Sequence, residues 1–530
     1  MKFLGIRNGH DCNITYTDGK KVRYAKLERN LQIKHYHWMY NEADVKSGKY
    51  STPESREDMA SILNFAKKTF NIDFKDLDAI CIDPSPDRHP IKNGLDIYQT
   101  HKELDKKANP FWSEFSCPIY LLGHHQAHVY SCWPLADVAS IKNHFVIDGE
   151  GDFNRSTTIF KNGKVVDYSD YNEHAGMSKV LEMIGIQYGM HGMKLDVSGK
   201  TMALKSFHKV SDEQLNQLLT ITSHMSYRHF KSFVDVSNHF LNQVVRAADE
   251  KEHLINLLYL IHVFGEQKVP EFFSNYMDGK LDNLCTYSGG TAQNTCINTE
   301  IRNVLPNIII PPHCPDDGIS LGCVEFLRQQ YSQEPFDNSG FPYWQSDEAP
   351  ESEPSAATID KTAEYLAQGK IVAWYQGNGE LGPRALGNRS ILMDPSIKDG
   401  KDTINSKVKK REPYRPFGAS ILYEEVGKHF TKDWYTPYML YVVDFKTNDF
   451  PAVSHIDNTC RHQTVKHEPQ TKYYYELIDS FYKKTGIPMV LNTSLNVDGR
   501  PIAGHVADAK ELFDKSELDV LVVGDEIIVK

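Results

Sequence analysis

The sequence predicts an α/β protein in two parts, a duplicated N-terminal half followed by a second α/β unit. Three observations point there. A strand, a polar loop and a hairpin open the chain and return in the same order from His144 onward. Buried strands alternate with amphipathic helices on both sides of the chain's midpoint. Between the parts, residues 329–359 turn rich in Pro, Ser and Glu, the composition of a boundary.

The first unit reads "FLGI", "RNGHDC", "NITYT", "DG", "KKVRYAKLE". Asp18-Gly19 joins two β-rich runs and predicts a hairpin. The second reads "HFVI", "DGEGDFNR", "STTIF", "KNG", "KVVDYSD", with Asn162-Gly163 at the turn. Two such units are the pattern of a duplicated, two-lobed ATPase fold of the actin/Hsp70 kind. Between them a helix is predicted from about Pro53 to Phe70, capped by Ser51 or Thr52, with Met59, Ile62, Leu63, Ala66 and Phe70 on one face. "LDAICI" follows as a buried strand, and residues 210–280 are mostly helical by period. After the boundary, "TAEYLAQGKIVAWY" reads helix, glycine turn, buried strand.

The chain has 530 residues, enough for several domains and a large core. Its formal charge of −11 argues against duplex binding through phosphates, while a local basic groove is compatible with it. The nine cysteines are scattered and form no CxxC pair, so reduced thiols and a cytoplasmic location are expected. No apolar run has the length of a membrane span, and "MKFL" runs straight into "GIRNGHD", so neither membrane nor leader peptide is expected.

"HHQAH" follows the strand "PIYLLG", which puts His124 and His128 four apart on one helical face. Asp148 ends the strand "HFVID", at a sheet rim, and Asp316 lies in the turn "PPHCPDDGISLG". Two imidazoles and two carboxylates suit Fe²⁺ or another first-row divalent ion. "TYSGGTAQNTCIN" is a strand, a Gly289-Gly290 turn and a helix start, where backbone N–H groups can meet phosphate. In the C-terminal unit Arg384 and Arg389 lie in "GELGPRALGNRSIL", Arg411 and Arg415 in "KKREPYRPFGAS", and Arg461 in "SHIDNTCRHQTV". "PMVLNTSLNVDG" sets Asn492, Thr493, Ser494 and Asn496 just after a buried strand. Guanidiniums gathered without carboxylates would repel unless an anion lay between them.

Those four C-terminal stretches, together with "GIRNGHDCN", "LERNLQIKH", "GHHQAHVYS", "VIDGEGD", "YSGGTAQNTCIN" and "PDDGISLG", resemble the motifs of the O-carbamoyltransferases in the same order. That family includes the nodulation-factor, cephamycin and tobramycin carbamoyltransferases. The resemblance implies a TsaD-like domain over residues 1–340 and a YrdC-like domain over 345–530. It implies that carbamoyl phosphate and ATP, with Mg²⁺, give carbamoyl-adenylate and pyrophosphate in the second domain. The carbamoyl group then passes to an acceptor hydroxyl in the first. The ligands of the implied iron would be His124, His128, Asp148 and Asp316, with Asp317 the alternative to Asp316. Arg384, Arg415, Arg461, Asn492 and Ser494 would hold carbamoyl phosphate and ATP. Gly289, Gly290 and Asn294 would hold nucleotide in the first domain, and His10 and Lys34 would serve the transfer.

Two departures bear on the acceptor. "MALKSFH" (202–208) stands where relatives read roughly "MGLAPYG", and Leu27 of "LER" stands where a second glutamate is usual. The acceptor is then a small molecule, sugar, nucleotide or modified base, and a homodimer is the expected assembly. Competing readings are a threonylcarbamoyl-type tRNA-modifying enzyme and a non-catalytic nucleotide- and metal-binding regulator. The acidic charge weighs against the first and the arginine-rich motifs against the second.

Overall fold

The structure is a computed structural model, and it describes residues 1–35, 56–84, 101–107, 110–149, 151, 155–170, 176–190, 194–245 and 249–530. It is mixed α/β, with two N-terminal sheets and one C-terminal sheet carrying most of the strands.

The first sheet contains β1 (Phe3–Asn8), β2 (Asn13–Thr17), β3 (Val22–Lys26), β4 (Ala79–Pro84), β5 (His101–Glu103) and β6 (Ile119–Leu122), ordered β3-β2-β1-β4-β6-β5. The second contains β7 (Asn143–Ile147), β8 (Arg155–Lys161), β9 (Lys164–Asp170), β10 (Cys285–Ser288) and β11 (Ile308–Ile309), ordered β11-β10-β7-β8-β9. Read from the hairpin edge, both run third, second, first, fourth, and the first strand of each pairs parallel with the fourth. The duplication expected from the hairpins is therefore present in the register itself. Both predicted turns join antiparallel neighbours, β2 to β3 and β8 to β9.

The predicted helix after residue 53 is seen as Arg56–Phe70, and Met59, Ile62, Leu63, Ala66 and Phe70 are all buried. Its expected cap, Ser51 or Thr52 with Pro53, lies outside the described residues, as do Glu150 and residues 152–154 of the "DGEGDFNR" loop. Helices Asp212–Ile221, Phe230–Gln243 and Glu250–Ser274 fill the helical stretch, and Phe230, Phe233 and Phe264 join one core cluster with Phe145 and Tyr287 of the second sheet. Among the described residues no helix is long and apolar enough to cross a membrane.

The C-terminal sheet is built from β12 (Val372–Tyr375), β13 (Arg389–Met393), β14 (Gly418–Leu422), β17 (Gln463–Val465), β18 (Met489–Ser494), β19 (Val520–Val523) and β20 (Glu526–Val529). Its order is β17-β14-β18-β13-β12-β19-β20, and β15 (Val443–Asp444) and β16 (Thr459–Cys460) form a small separate pair. Helices Ala356–Ala367 and Lys472–Thr485 bury Ile359, Ala363, Leu366, Leu477, Ile478 and Phe481 against one face.

The boundary stretch, polar in average composition, is packed at its aromatic residues. Its aromatic residues override its polar ones: Phe336, Phe341 and Trp344 are buried in a cluster with Trp133, and Trp133 stacks on Trp344 at 5.5 Å. Gln345 then bridges the parts, donating its N–H to Gly379 O (3.2 Å) and accepting at Oε1 from the Lys26 N–H (3.1 Å).

Candidate functional site

The carboxyl ends of the parallel strands in both N-terminal sheets converge, where open α/β sheets commonly bind ligands. β1 ends at Arg7 and Asn8, β4 delivers Asp83, and β7 hands over directly to Asp148. β6 is followed by the helix His124–Tyr130, whose histidines are buried, and a 3₁₀ turn, Asp316–Gly318, brings in Asp316.

The four residues expected to bind metal lie together, with candidate ligand atoms all within 4.8 Å of one another. His124 Nε2 is 3.0 Å from Asp148 Oδ2 and 3.5 Å from Asp316 Oδ1. His128 Nε2 is 3.4 and 3.5 Å from the same two oxygens, and among the described residues neither ring nitrogen of this buried side chain has a well-aligned hydrogen-bond partner. Burial disfavours ionised carboxylates, but His124 and His128 hold Asp148 well below its ordinary pKa, and Arg7 leads the charges that do the same for Asp316. Two anionic oxygens and two imidazole nitrogens facing one point fit a divalent cation. Asp317 turns away to pair with Lys26, which also reaches Asp11 (2.9 Å) and Glu28 (3.0 Å), so Asp316 is the member of the cluster.

His10 sits at the rim, with Nδ1 2.9 Å from Asp11 Oδ2 and Nε2 3.4 Å from Asp316 Oδ2. Lys34 pairs with Asp196 at 2.6 Å, and His35 lies between Asp11 (2.9 Å) and Asp196 (3.2 Å). Burial would lower the His35 pKa, but the two carboxylates lift it to about 10.

The Gly-Gly turn is used differently from the expectation that its N–H groups would face phosphate. Gly289 donates to Cys314 O (2.8 Å) and Gly290 to Asp148 Oδ1 (2.9 Å), so both are committed within the protein. A side chain at Gly289, where φ is +97°, would meet Ile147 O at 2.3 Å. Asn294 caps the helix Thr295–Val304 by accepting from the Ile297 N–H (3.3 Å), and it also borders the cavity.

The expected arginines divide. Arg389 is structural: wholly buried, it donates to Gly377 O and Glu348 O (both 2.9 Å), and it also contacts Asp347 (3.2 Å). Arg384, five residues earlier, lines the cavity with Arg411, Arg415 and Arg461. Nε of both Arg384 and Arg461 is buried without a hydrogen-bond partner. Burial and the neighbouring arginines depress all three of Arg384, Arg411 and Arg461, Arg411 to about 9. A guanidinium holds its proton more firmly than that, so the depression reflects how much positive charge is gathered and buried here. Arg415 is balanced by Asp498 at 2.7 Å. Ser494 faces the cavity and accepts from Lys409 Nζ (3.2 Å). Asn492 is not on the wall: its amide donates to Ser420 Oγ (3.0 Å) and Ala385 O (3.2 Å), behind the site.

Both groups of residues open onto one cavity of about 1240 Å³, bordered by Arg7, His10, Asp148 and Asp316 on one side and by Arg384, Arg411, Arg415 and Arg461 on the other. Met202, Ala203, Lys205, Ser206 and Phe207 of the departing "MALKSFH" segment border it too, and Lys205 pairs there with Glu266. Leu27 instead packs in the core of the first sheet.

Sequence reasoning missed Arg7, Asp83 and Lys409. Asp83 had a visible signal, since "AICID" ends as "HFVID" does, although the first is the fourth strand of its sheet and the second the first strand of its own.

Fold and site thus define an α/β protein in which a buried His/Asp cluster reaches one side of a cavity through Asp148 and Asp316, and a group of arginines borders the other side. Two family models match, described as Carbamoyltransferase N-terminus over residues 2–324 and Carbamoyltransferase C-terminus over 363–530. The chain belongs to the carbamoyltransferase family. It is 38% identical over 267 residues to nodulation protein NolNO of Sinorhizobium fredii, covering 46% of this chain and 39% of that protein. It is 36% identical over 167 residues to 3'-hydroxymethylcephem-O-carbamoyltransferase of Amycolatopsis lactamdurans, covering 31% of this chain and 32% of that one. The matched stretches thus span less than half of either relative. Among solved structures, an activator of 2-hydroxyisocaproyl-CoA dehydratase from Clostridium difficile with bound ADPNP overlaps at a TM-score of 0.35, with 10% identity over 63% of this chain and 96% of that one.

Proposed function

We propose that the chain is an ATP-dependent O-carbamoyltransferase that uses carbamoyl phosphate and works through carbamoyl-adenylate. The observation that carries this is a cavity bordered at one end by Arg384 and Arg461, whose buried Nε atoms lack hydrogen-bond partners among the described residues, and at the other by Asp148 and Asp316 of the His/Asp cluster. The cephem relative, by its name an O-carbamoyltransferase of a hydroxymethyl group, supports a hydroxyl as acceptor.

Residues 345–530 would form the intermediate. Water releases inorganic phosphate from carbamoyl phosphate, and the resulting carbamate attacks the α-phosphorus of ATP, displacing pyrophosphate. Arg384 and Arg461, the arginines whose Nε atoms lack partners, would grip phosphate oxygens, with Arg415 and Ser494 beside them and Mg²⁺ accompanying ATP. Residues 1–340 would carry out the transfer. His124, His128, Asp148 and Asp316 would hold Fe²⁺ or a similar ion, which when bound supplies a positive charge that polarises an oxygen. His10, at the rim, is placed to take the acceptor hydroxyl's proton as the hydroxyl oxygen attacks the carbamoyl carbon and AMP leaves. Lys34 lies in the same wall, held by Asp196. The acceptor would be a hydroxyl-bearing small molecule, sugar, nucleotide or modified base.

The test is pyrophosphate release measured beside carbamoylation of a panel of hydroxyl acceptors with labelled carbamoyl phosphate. Arg384→Ala should lower both, by roughly 30-fold or more for loss of a buried charged contact. His128→Ala should keep pyrophosphate release and lose transfer. Unchanged pyrophosphate release in Arg384→Ala would remove the anion-pocket assignment, and equal loss of both activities in both variants would remove the division of labour.

A further inference from the structure

Three of the four residues of the His/Asp cluster, Asp148, Asp316 and His124, offer one atom inward while another is held by protein groups behind it. Asp148 Oδ1 accepts from the N–H groups of Gly149 (2.8 Å) and Gly290 (2.9 Å), leaving Oδ2 toward the histidines. Asp316 Oδ2 accepts from Arg7 Nη2 (2.5 Å), leaving Oδ1 inward. Asp83 Oδ2 lies 3.1 Å from His124 Nδ1, leaving Nε2 inward, and the same Asp83 oxygen accepts from Arg7 Nη1. Arg7 and Asp83 are both buried, and Asp83 Oδ1 has no hydrogen-bond partner, so both of Asp83's contacts meet on one oxygen.

We infer that Arg7 and Asp83 are positioning residues for the cation site: as a linked pair they hold Asp316 and His124 so that Asp316 Oδ1 and His124 Nε2 are the atoms presented to the ion. This rests on the metal reading above. Without Arg7, Asp316 would be free to turn both oxygens to the ion, and Asp83 would be a buried charge with no cation beside it. Without the Asp83 carboxylate, the His124 ring loses the acceptor that sets which nitrogen faces inward. Arginine rather than lysine is required, because one planar fork must reach two carboxylates at once. Gly9 belongs to the same device: a Cβ there would stand 2.6 Å from Arg7 Cζ, so the glycine of "RNGHD" makes room for the guanidinium.

The test uses Co²⁺ as probe on the full-length protein, with affinity from chelator competition and coordination from the visible absorption spectrum. Asp83→Asn, Arg7→Lys and Gly9→Ala are each compared with the unaltered chain after thermal melting has shown a cooperative fold. Each folded variant is expected to bind Co²⁺ about 10–100-fold more weakly, with a changed spectrum, as for other groups that orient metal ligands. A purely structural role would shift the melt and leave the spectrum alone. Wild-type affinity and spectrum in the folded variants would overturn the positioning role and leave the metal reading standing. Absence of Co²⁺ binding by the unaltered chain would overturn the metal reading, and the inference with it. Gly9→Ala keeps every charge and decides the matter if the other two fail to fold. Failure of all three would make the group a folding requirement and count against the inference.

Discussion

At one end of the cavity opposite charges meet and nearly every group is answered: Asp148 and Asp316 face His124, His128 and Arg7. At the other end Arg384, Arg411 and Arg461 stand near one another, each depressed by burial and by neighbouring arginines. What marks the first end as a candidate ligand site is geometry, four donor atoms close together with a buried His128 whose ring nitrogens lack hydrogen-bond partners among the described residues. What marks the second end is the gathering of guanidiniums, with the buried Nε atoms of Arg384 and Arg461 lacking partners among the described residues. A candidate cation site and a candidate anion site therefore have to be recognised by different signs, one by converging donors and the other by missing partners.

The largest expected effect tests the first end. The protein prepared without chelators should carry about one first-row divalent ion per chain, and the double variant His124→Ala/His128→Ala should carry none, since half of the donor set is gone. Elemental analysis finding equal metal in both would remove the cluster as a binding site. Transfer to any acceptor should vanish with the metal.

The next effect tests the second end. If the arginines wait for an anion, inorganic pyrophosphate should raise the melting temperature at constant ionic strength, because a ligand at 100 times its Kd adds about 2.7 kcal/mol to stability. Arg461→Ala should melt higher than the unaltered chain without pyrophosphate, since it removes a repelling buried charge, and should gain little when pyrophosphate is added. A lower melting temperature without the anion would show that Arg461 already has the partner it needs.

How much of this the sequence carried depends on the range of the interaction. Local signals served well: the i, i+4 pair His124/His128, the hairpins at Asp18-Gly19 and Asn162-Gly163, and the helix over Met59–Phe70 are all set by neighbours in the chain. What escaped was set by distant partners. Arg384 and Arg389 look alike in "GELGPRALGNRSIL", and only the approach of Asp347 and Glu348 O makes the second structural. Asn492 sits in a motif that reads as phosphate-binding, but alternation along β18 turns it to the buried face, toward Ser420 and Gln463. The packing of the boundary stretch was also invisible in its average composition, because four buried aromatics, Phe336, Phe341, Tyr343 and Trp344, lie among many polar residues.

The smallest effect asks whether the two ends are independent. The Arg384 loop is braced from the other part of the chain: Arg29, buried in the helix Leu27–Leu31, donates from Nη2 to Gly382 O at 3.1 Å and brings Nη1 to 3.9 Å from Asp347. A side chain at Gly382 would strike Pro312 O at 2.2 Å, and one at Gly504 would meet Arg29 O at 2.6 Å, so backbone presses on backbone across this contact. Arg29→Met keeps the bulk and removes the charged donor, a loss of about 1.5–3 kcal/mol where the acceptor stays buried. Part of that should reach Arg384 as a looser loop, seen as a rise of about tenfold in the KM for carbamoyl phosphate in the pyrophosphate assay. Metal content should stay unchanged, because Arg29 touches none of the cluster residues. By the same reasoning, a fragment of residues 345–530 should bind pyrophosphate more weakly than the full chain, having lost both Arg29 and Pro312. Equal affinity in fragment and full chain, with an unaltered KM in Arg29→Met, would make the anion end self-sufficient and the cross-contact mere packing.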